Sequence, residues 1–109
     1  MAWIVRDGMV LASAELATTR RDRRRGLLGR EHVEGALVLR PCRQVHTVAM
    51  RFPIDVVWCA NDGCVLRVAT LEPGRVSRAV RKARFVIEAE SGAAQRWGLQ
   101  PGTVVEIVA

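Results

Sequence analysis

The sequence predicts a single α+β domain, β-rich, with about seven strands in a mixed or antiparallel barrel-like sheet and two short helices. Three features of the sequence point to it. Short apolar runs recur along the chain, each bounded by glycine, proline or an Asp-Gly pair, as strands joined by tight turns are. Two short segments break that pattern, each with a helix-start signal and a glycine stop. With 109 residues, half of them hydrophobic and 26% charged, residues 1–109 are enough for one globular core but not for two domains.

In chain order, Trp3 to Val5 and Met9 to Ala14 are apolar runs on either side of Asp7-Gly8, the dipeptide of a two-residue hairpin turn. Thr18-Thr19 then supplies an N-cap for a short helix from Arg20 to Leu28, stopped by Gly29. Its apolar content is thin (Leu16, Leu27 and Leu28), so arginine stems are expected to cover the remainder. After Gly35, Ala36 to Leu39 is a strand that stops at Arg40-Pro41. Gln44 to Met50 alternates as a strand would, with Val45, Thr47 and Ala49 on one face and His46, Val48 and Met50 on the other. Phe52-Pro53 interrupts it, an aromatic–proline pair in which a cis bond is more frequent than usual but still the minority form. Ile54 to Ala60 and Cys64 to Leu71 flank Asn61-Asp62-Gly63, a second hairpin. Both are nearly continuous in apolar residues, as central strands are. Glu72-Pro73-Gly74 opens a basic loop. Arg84 to Ala89 is a strand, Gly92 to Trp97 a short helix closed by Gly98, and Pro101-Gly102 a turn into a last strand, Thr103 to Val108.

Charge is unevenly placed. The chain carries 17 basic and 11 acidic residues, a net charge of +6. Arg20, Arg21, Arg23, Arg24, Arg25 and Arg30 stand in one segment with Asp22 as its only acid. Arg75, Arg78, Arg81, Lys82 and Arg84 stand in another with no acid, and the rest of the chain is net acidic. Brought together, the two segments would form a basic face that draws an anionic small molecule or an acidic protein; kept apart, they are solvated surfaces that aid solubility. Nucleic acid is disfavoured as a partner: there is no tyrosine, and Phe85 alone touches either basic segment, so stacking residues are missing. No apolar run reaches the roughly 18 residues of a membrane span. The start, MAWIVRDGMVLASAEL, lacks a basic n-region, so a cytoplasmic protein is expected.

Side chains with chemistry gather between Cys42 and Cys59. Asp55 lies in the apolar run Phe52 to Trp58, where a carboxylate must stay at a strand end, pair with an arginine, or rise in pKa. His46, with Met50 and Arg51 a strand's length away, would complete a His-Asp pair. That is the minimum for general acid–base work and equally for a structural hydrogen bond. Cys42, Cys59 and Cys64 are an odd number, expected to be reduced core thiols. With His46 they would make four ligands, but Cys-x3-His and Cys-x4-Cys match no zinc pattern. There is no P-loop, no dinucleotide-binding glycine pattern and no Gly-x-Ser-x-Gly, so neither a cofactor nor a metal is expected.

VHTVAMRFPIDVV, preceded by RRGLLGR and followed by FVIEAESG and LQPGTVVEI, resembles the bacterial and archaeal family called domain of unknown function 192, from about Arg24 to Ile107. The Pro-Ile-Asp block is its specific part. The family's better-known pattern has Trp-Met-x-Asn-Thr where this chain has His46-Thr47-Val48-Ala49-Met50, so roles of that tryptophan or asparagine do not carry over. The resemblance implies a compact β-rich domain and no established activity. Position by position it implies a candidate site of His46, Thr47, Met50, Pro53 and Asp55, with Arg25 and Glu88 from the flanking motifs. The expected structural role of the block has Asp55 ion-paired to an arginine such as Arg25 or Arg51, and Glu88 held likewise. Three functions follow: a binding or accessory module for an anionic ligand or acidic partner, which the charge placement favours; an enzyme using Asp55 or His46 as acid or base; and a nucleic-acid binder through Arg20 to Arg30 and Arg75 to Arg84.

Overall fold

The computed structural model describes residues 2–109. Its elements are β1 (Ala2–Arg6), β2 (Met9–Ala17), α1 (Arg20–Arg25), β3 (Ala36–Leu39), β4 (Ile54–Cys59), β5 (Val65–Leu71), β6 (Phe85–Glu90), α2 (Ala93–Arg96) and β7 (Glu106–Val108). The strands form one seven-stranded sheet in the order β5-β4-β6-β3-β2-β1-β7. Asp7 and Gly8 both take positive φ, 50° and 76°, the twist a two-residue hairpin needs, and they turn β1 into antiparallel β2. β2 and β3 run parallel, which their connection through α1 permits; the other pairings are antiparallel, so the sheet is mixed.

The sheet curls until its two outer strands approach at one end. Cys64 and Val104 form a bridge, the Val65 amide donates to the Thr103 carbonyl at 2.7 Å, and the Val105 amide donates to the Gly63 carbonyl at 3.0 Å. Gly63 allows this clasp twice over. Its φ is +90°, and a β-carbon there would lie 1.9 Å from the Val105 carbonyl oxygen.

Apolar side chains pack on both faces of the sheet. The inner face, closed by α2, collects Ile4, Val38, Val57, Phe85, Ile87, Leu99 and Val105. The outer face collects Leu27, Leu37, Leu39, Val45, Met50, Val56, Trp58 and Val86 under the loops. All of β3 and β4, and all of β6 but its last residue, are buried, and that two-sided burial is why these strands read as unbroken apolar runs. No helix among the described residues is long and apolar enough to cross a membrane.

Some elements differ from the sequence reading. Residues 44–50 are not a strand. Their backbone bonds go to the basic loop (Thr47 amide to Arg75 carbonyl, Ser77 amide to Val45 carbonyl), and only His46 bridges, to Val76. Val45 and Thr47 are buried and His46 and Val48 exposed as alternation requires, but the positive φ of Ala49, 64°, turns the chain so that Met50 is buried instead. β5 is an edge strand with one half-wet face, not a central one. α1 stops at Gly26 rather than Gly29, and β7 is three residues because residues 103–105 clasp β5. Phe52–Pro53 keeps the majority trans form, while Arg40–Pro41, which the sequence did not single out, is cis.

Candidate functional site

The outer face carries a cleft of about 350 Å³ between α1 and residues 41–46. α1 has no buried residue and is held by its ends. Thr19 Oγ1 accepts from the Asp22 amide at 3.0 Å, Asp22 sits in the first turn, and Arg23, Arg24 and Arg25 occupy the last turn, where cations suit the helix dipole. Leu27 then anchors the following turn in the outer core. The opposite wall is pinned from behind. The Trp58 indole donates to the Arg43 carbonyl at 3.0 Å, the Cys42 amide donates to the Arg84 carbonyl, and the Val80 amide to the Arg43 carbonyl. Residues 42–46 therefore stand between the two basic segments, bonded to the second and facing the first across the cleft.

Arg23, Arg24, Arg25, Arg43 and His46 line this space, with Leu39, Val45, Met50 and Glu88 below them. None of the four arginines joins an ion pair among the described residues. Glu88 is 3% exposed, and its Oε1 has no hydrogen-bond partner. Register explains its position. Glu88 faces Val56 on β4 and Leu37 on β3, so it shares their outer apolar face, and burial there pushes its carboxyl up to about 7. The backbone at Gly26 (φ 50°, ψ −129°) carries the end of α1 past this group; a β-carbon there would sit 3.4 Å from Oε1. The Cys42 thiol, at the same cleft, is raised by burial, which outweighs a hydrogen bond with the Gln44 backbone that acts the other way.

Of the residues singled out in the sequence, Arg25, His46, Met50 and Glu88 meet here. Asp55 does not. Its register partner on β6 is Ala89, one residue from Glu88, so the two acids point to opposite faces of the sheet. The expected ion pair of Asp55 with Arg25 or Arg51 is absent, because hydrogen-bond donors of the neighbouring backbone take its place. Asp55 Oδ2 accepts from the amides of Gly92 and Ala94, both at 3.0 Å, and Oδ1 from the Thr70 hydroxyl at 2.7 Å. It thus caps α2, whose own N-cap, Gly92, has no side chain to offer. Glu88 likewise has no arginine partner. Arg51 pairs at 3.7 Å with Glu31 on the surface. Thr47 is buried and ties down the basic loop: its hydroxyl donates to the Glu72 carbonyl at 2.6 Å and accepts from the Arg75 amide at 2.9 Å. Pro53 leads into β4 and takes no part in the cleft. An acid–base pair of His46 with Asp55 is therefore not formed, and Cys42, Cys59, Cys64 and His46 do not assemble: no group of three or more metal-ligating side chains occurs among the described residues. The sequence reading missed Arg43, which no local pattern marks; Gly26 already weakens the last turn of the helix in the sequence, but the stop is placed there at Gly29.

Comparison with known proteins gives a family and a fold. The family model of domain of unknown function 192, described as an uncharacterized ACR, matches residues 2–107. No curated protein matches the chain. A protein of unknown function from Novosphingobium aromaticivorans is similar in structure, with a TM-score of 0.79 and 22% identity over 96% of this chain and 82% of that one. A candidate transcription regulator from Sinorhizobium meliloti has a TM-score of 0.82 and 20% identity over 96% of this chain and 90% of that one. At such identities the likeness is one of fold.

Proposed function

Since the chain belongs to the domain of unknown function 192 family, whose description assigns no activity, we propose its function from the cleft itself: a binding module for a small molecule that carries an anionic group. The observation that carries this reading is the convergence of Arg23, Arg24, Arg25 and Arg43 on one cleft without a carboxylate to pair them. Like charges held together repel, and a bound anion removes that repulsion. The guanidinium fork matches carboxylate, sulfonate and phosphate oxygens in pairs. A volume near 350 Å³ lies at the small end of ligand pockets, which run roughly 300–1,000 Å³. It suits a small molecule better than a segment of an acidic protein. Acid–base use of His46 with Asp55 has no comparable support, since His46 lines the cleft and Asp55 lies on the other face of the sheet.

Calorimetric titration with propane-1-sulfonate and with inorganic phosphate tests this at low ionic strength. Saturable binding is expected, and the double variant Arg24→Ala/Arg43→Ala should weaken it at least about tenfold, as loss of charge-assisted hydrogen bonds worth roughly 1.5–3 kcal/mol each requires. Binding that never saturates, or that the double variant leaves unchanged, defeats the reading.

A further inference from the structure

We propose that the ligand of this cleft is a zwitterion, its anionic group held by the arginines at the rim and a protonated amine seated against Glu88 at the floor. This rests on the reading of the cleft as an anion site and adds the second half of the ligand. The starting point is a contrast between the two buried acids. Asp55 has three donors on its carboxylate, whereas Glu88 has none on Oε1, although four arginines line the same cleft. Buried polar atoms are nearly always partnered, so one left open at the bottom of a cleft marks an unfinished interaction.

The charges are also separated in space. The cationic groups belong to α1 and residues 41–46, the walls, while Glu88 projects from β6, the floor, into the apolar company of Leu37, Leu39 and Val56. A simple anion would satisfy the rim and meet Glu88 as a like charge. A neutral molecule would leave both ends unpaired. An ammonium brought to the floor sheds water beside an unpartnered carboxylate in a low-dielectric setting, where a close pair is strong and either charge alone is costly. Its three N–H donors supply what Oε1 lacks. Leu39, Val45 and Met50 give a short carbon spacer an apolar surface between the two ends.

The test compares taurine and homotaurine with their amine-free counterparts, propane-1-sulfonate and butane-1-sulfonate, by calorimetry on the whole chain at about pH 8. Each pair differs only by an ammonium in place of a methyl group. The better aminosulfonate should bind at least about tenfold tighter than its counterpart, and Glu88→Gln should erase that preference while sulfonate binding persists. Should Glu88→Gln fail to fold, the wild type serves: the preference should fall as the pH is lowered to about 5, because the sulfonate stays ionised and Glu88 does not. Aminosulfonates no tighter than alkylsulfonates, or a preference that survives both changes, overturns the zwitterion proposal alone. Failure of all four to bind overturns the anion reading beneath it as well.

Discussion

Replacing Glu88 by glutamine should remove a pH dependence of stability that the wild type shows between about pH 4.5 and 7. Burial raises this carboxyl from 4.5 to about 7 in the native state. Between those values the folded chain keeps a proton that the unfolded chain has released. The native state binds more protons, so stability falls as pH rises, by about 1.4 kcal/mol per pH unit. Over the whole interval the loss is about 3 kcal/mol, and it is complete above the native value, where both states are ionised. Glutamine keeps the shape and has no proton to lose. Urea denaturation at about pH 5, 6, 7 and 8, followed by tryptophan fluorescence, to which fully buried Trp58 contributes, measures both proteins. The stability difference should shift by about 2.5 kcal/mol in favour of Glu88→Gln from the lowest pH to the highest. Comparing the two proteins cancels other carboxylates; Glu15, held below 4.5 by its hydrogen bond from Arg30, contributes only beneath this window. A difference that stays constant with pH, or moves the other way, would refute the assignment of Glu88 to a shielded, unpartnered site.

Other expectations concern the scaffold. Asp55→Ala should cost roughly 2–4 kcal/mol in denaturation, since it strands the amides of Gly92 and Ala94 and the Thr70 hydroxyl, while leaving propane-1-sulfonate affinity unchanged because the residue faces the other side of the sheet. Gly63→Ala should cost about 2 kcal/mol or more through its clash with Val105, whereas Gly74→Ala, with nothing within 4 Å of the new methyl, should lose only the smaller cost of its positive φ. Thr47→Val should lower stability by about 1–2 kcal/mol, and hydrogen exchange should show the Arg75 amide losing protection before those of β6.

Much of the fold can be read from local chemistry. Asp7-Gly8 specified its hairpin, Thr19 its cap, and the unbroken apolar runs of β3, β4 and β6 their burial on two sides. Non-local pairing was less legible. Residues 44–50 mimic a strand because any extended segment lying with one side on a core alternates, whether or not its backbone joins a ladder. Two of the three partners of Asp55 are amides 37 and 39 residues away, and backbone donors leave no trace in residue identity, so arginine was the visible but wrong choice. Glu88 was recognisable as an acid in an apolar strand. That it lacks a partner depends on how far each guanidinium reaches, which composition does not encode. The cleft itself exists only because α1 and residues 41–46, apart in sequence, lie over the same stretch of sheet.

The clasp between Gly63 and Val105 makes closure of the sheet depend on two segments far apart in sequence. β1 pairs with β2 at once, but its other neighbour, β7, lies about a hundred residues later, and the inner core includes Leu99 and Val105. Without residues 99–108, one side of β1 is unpaired and the inner core lacks Leu99 and Val105. Such open edges are templates for pairing with other chains. Removing residues 99–108 should therefore do more than trim an edge: it opens β1 and the inner core together.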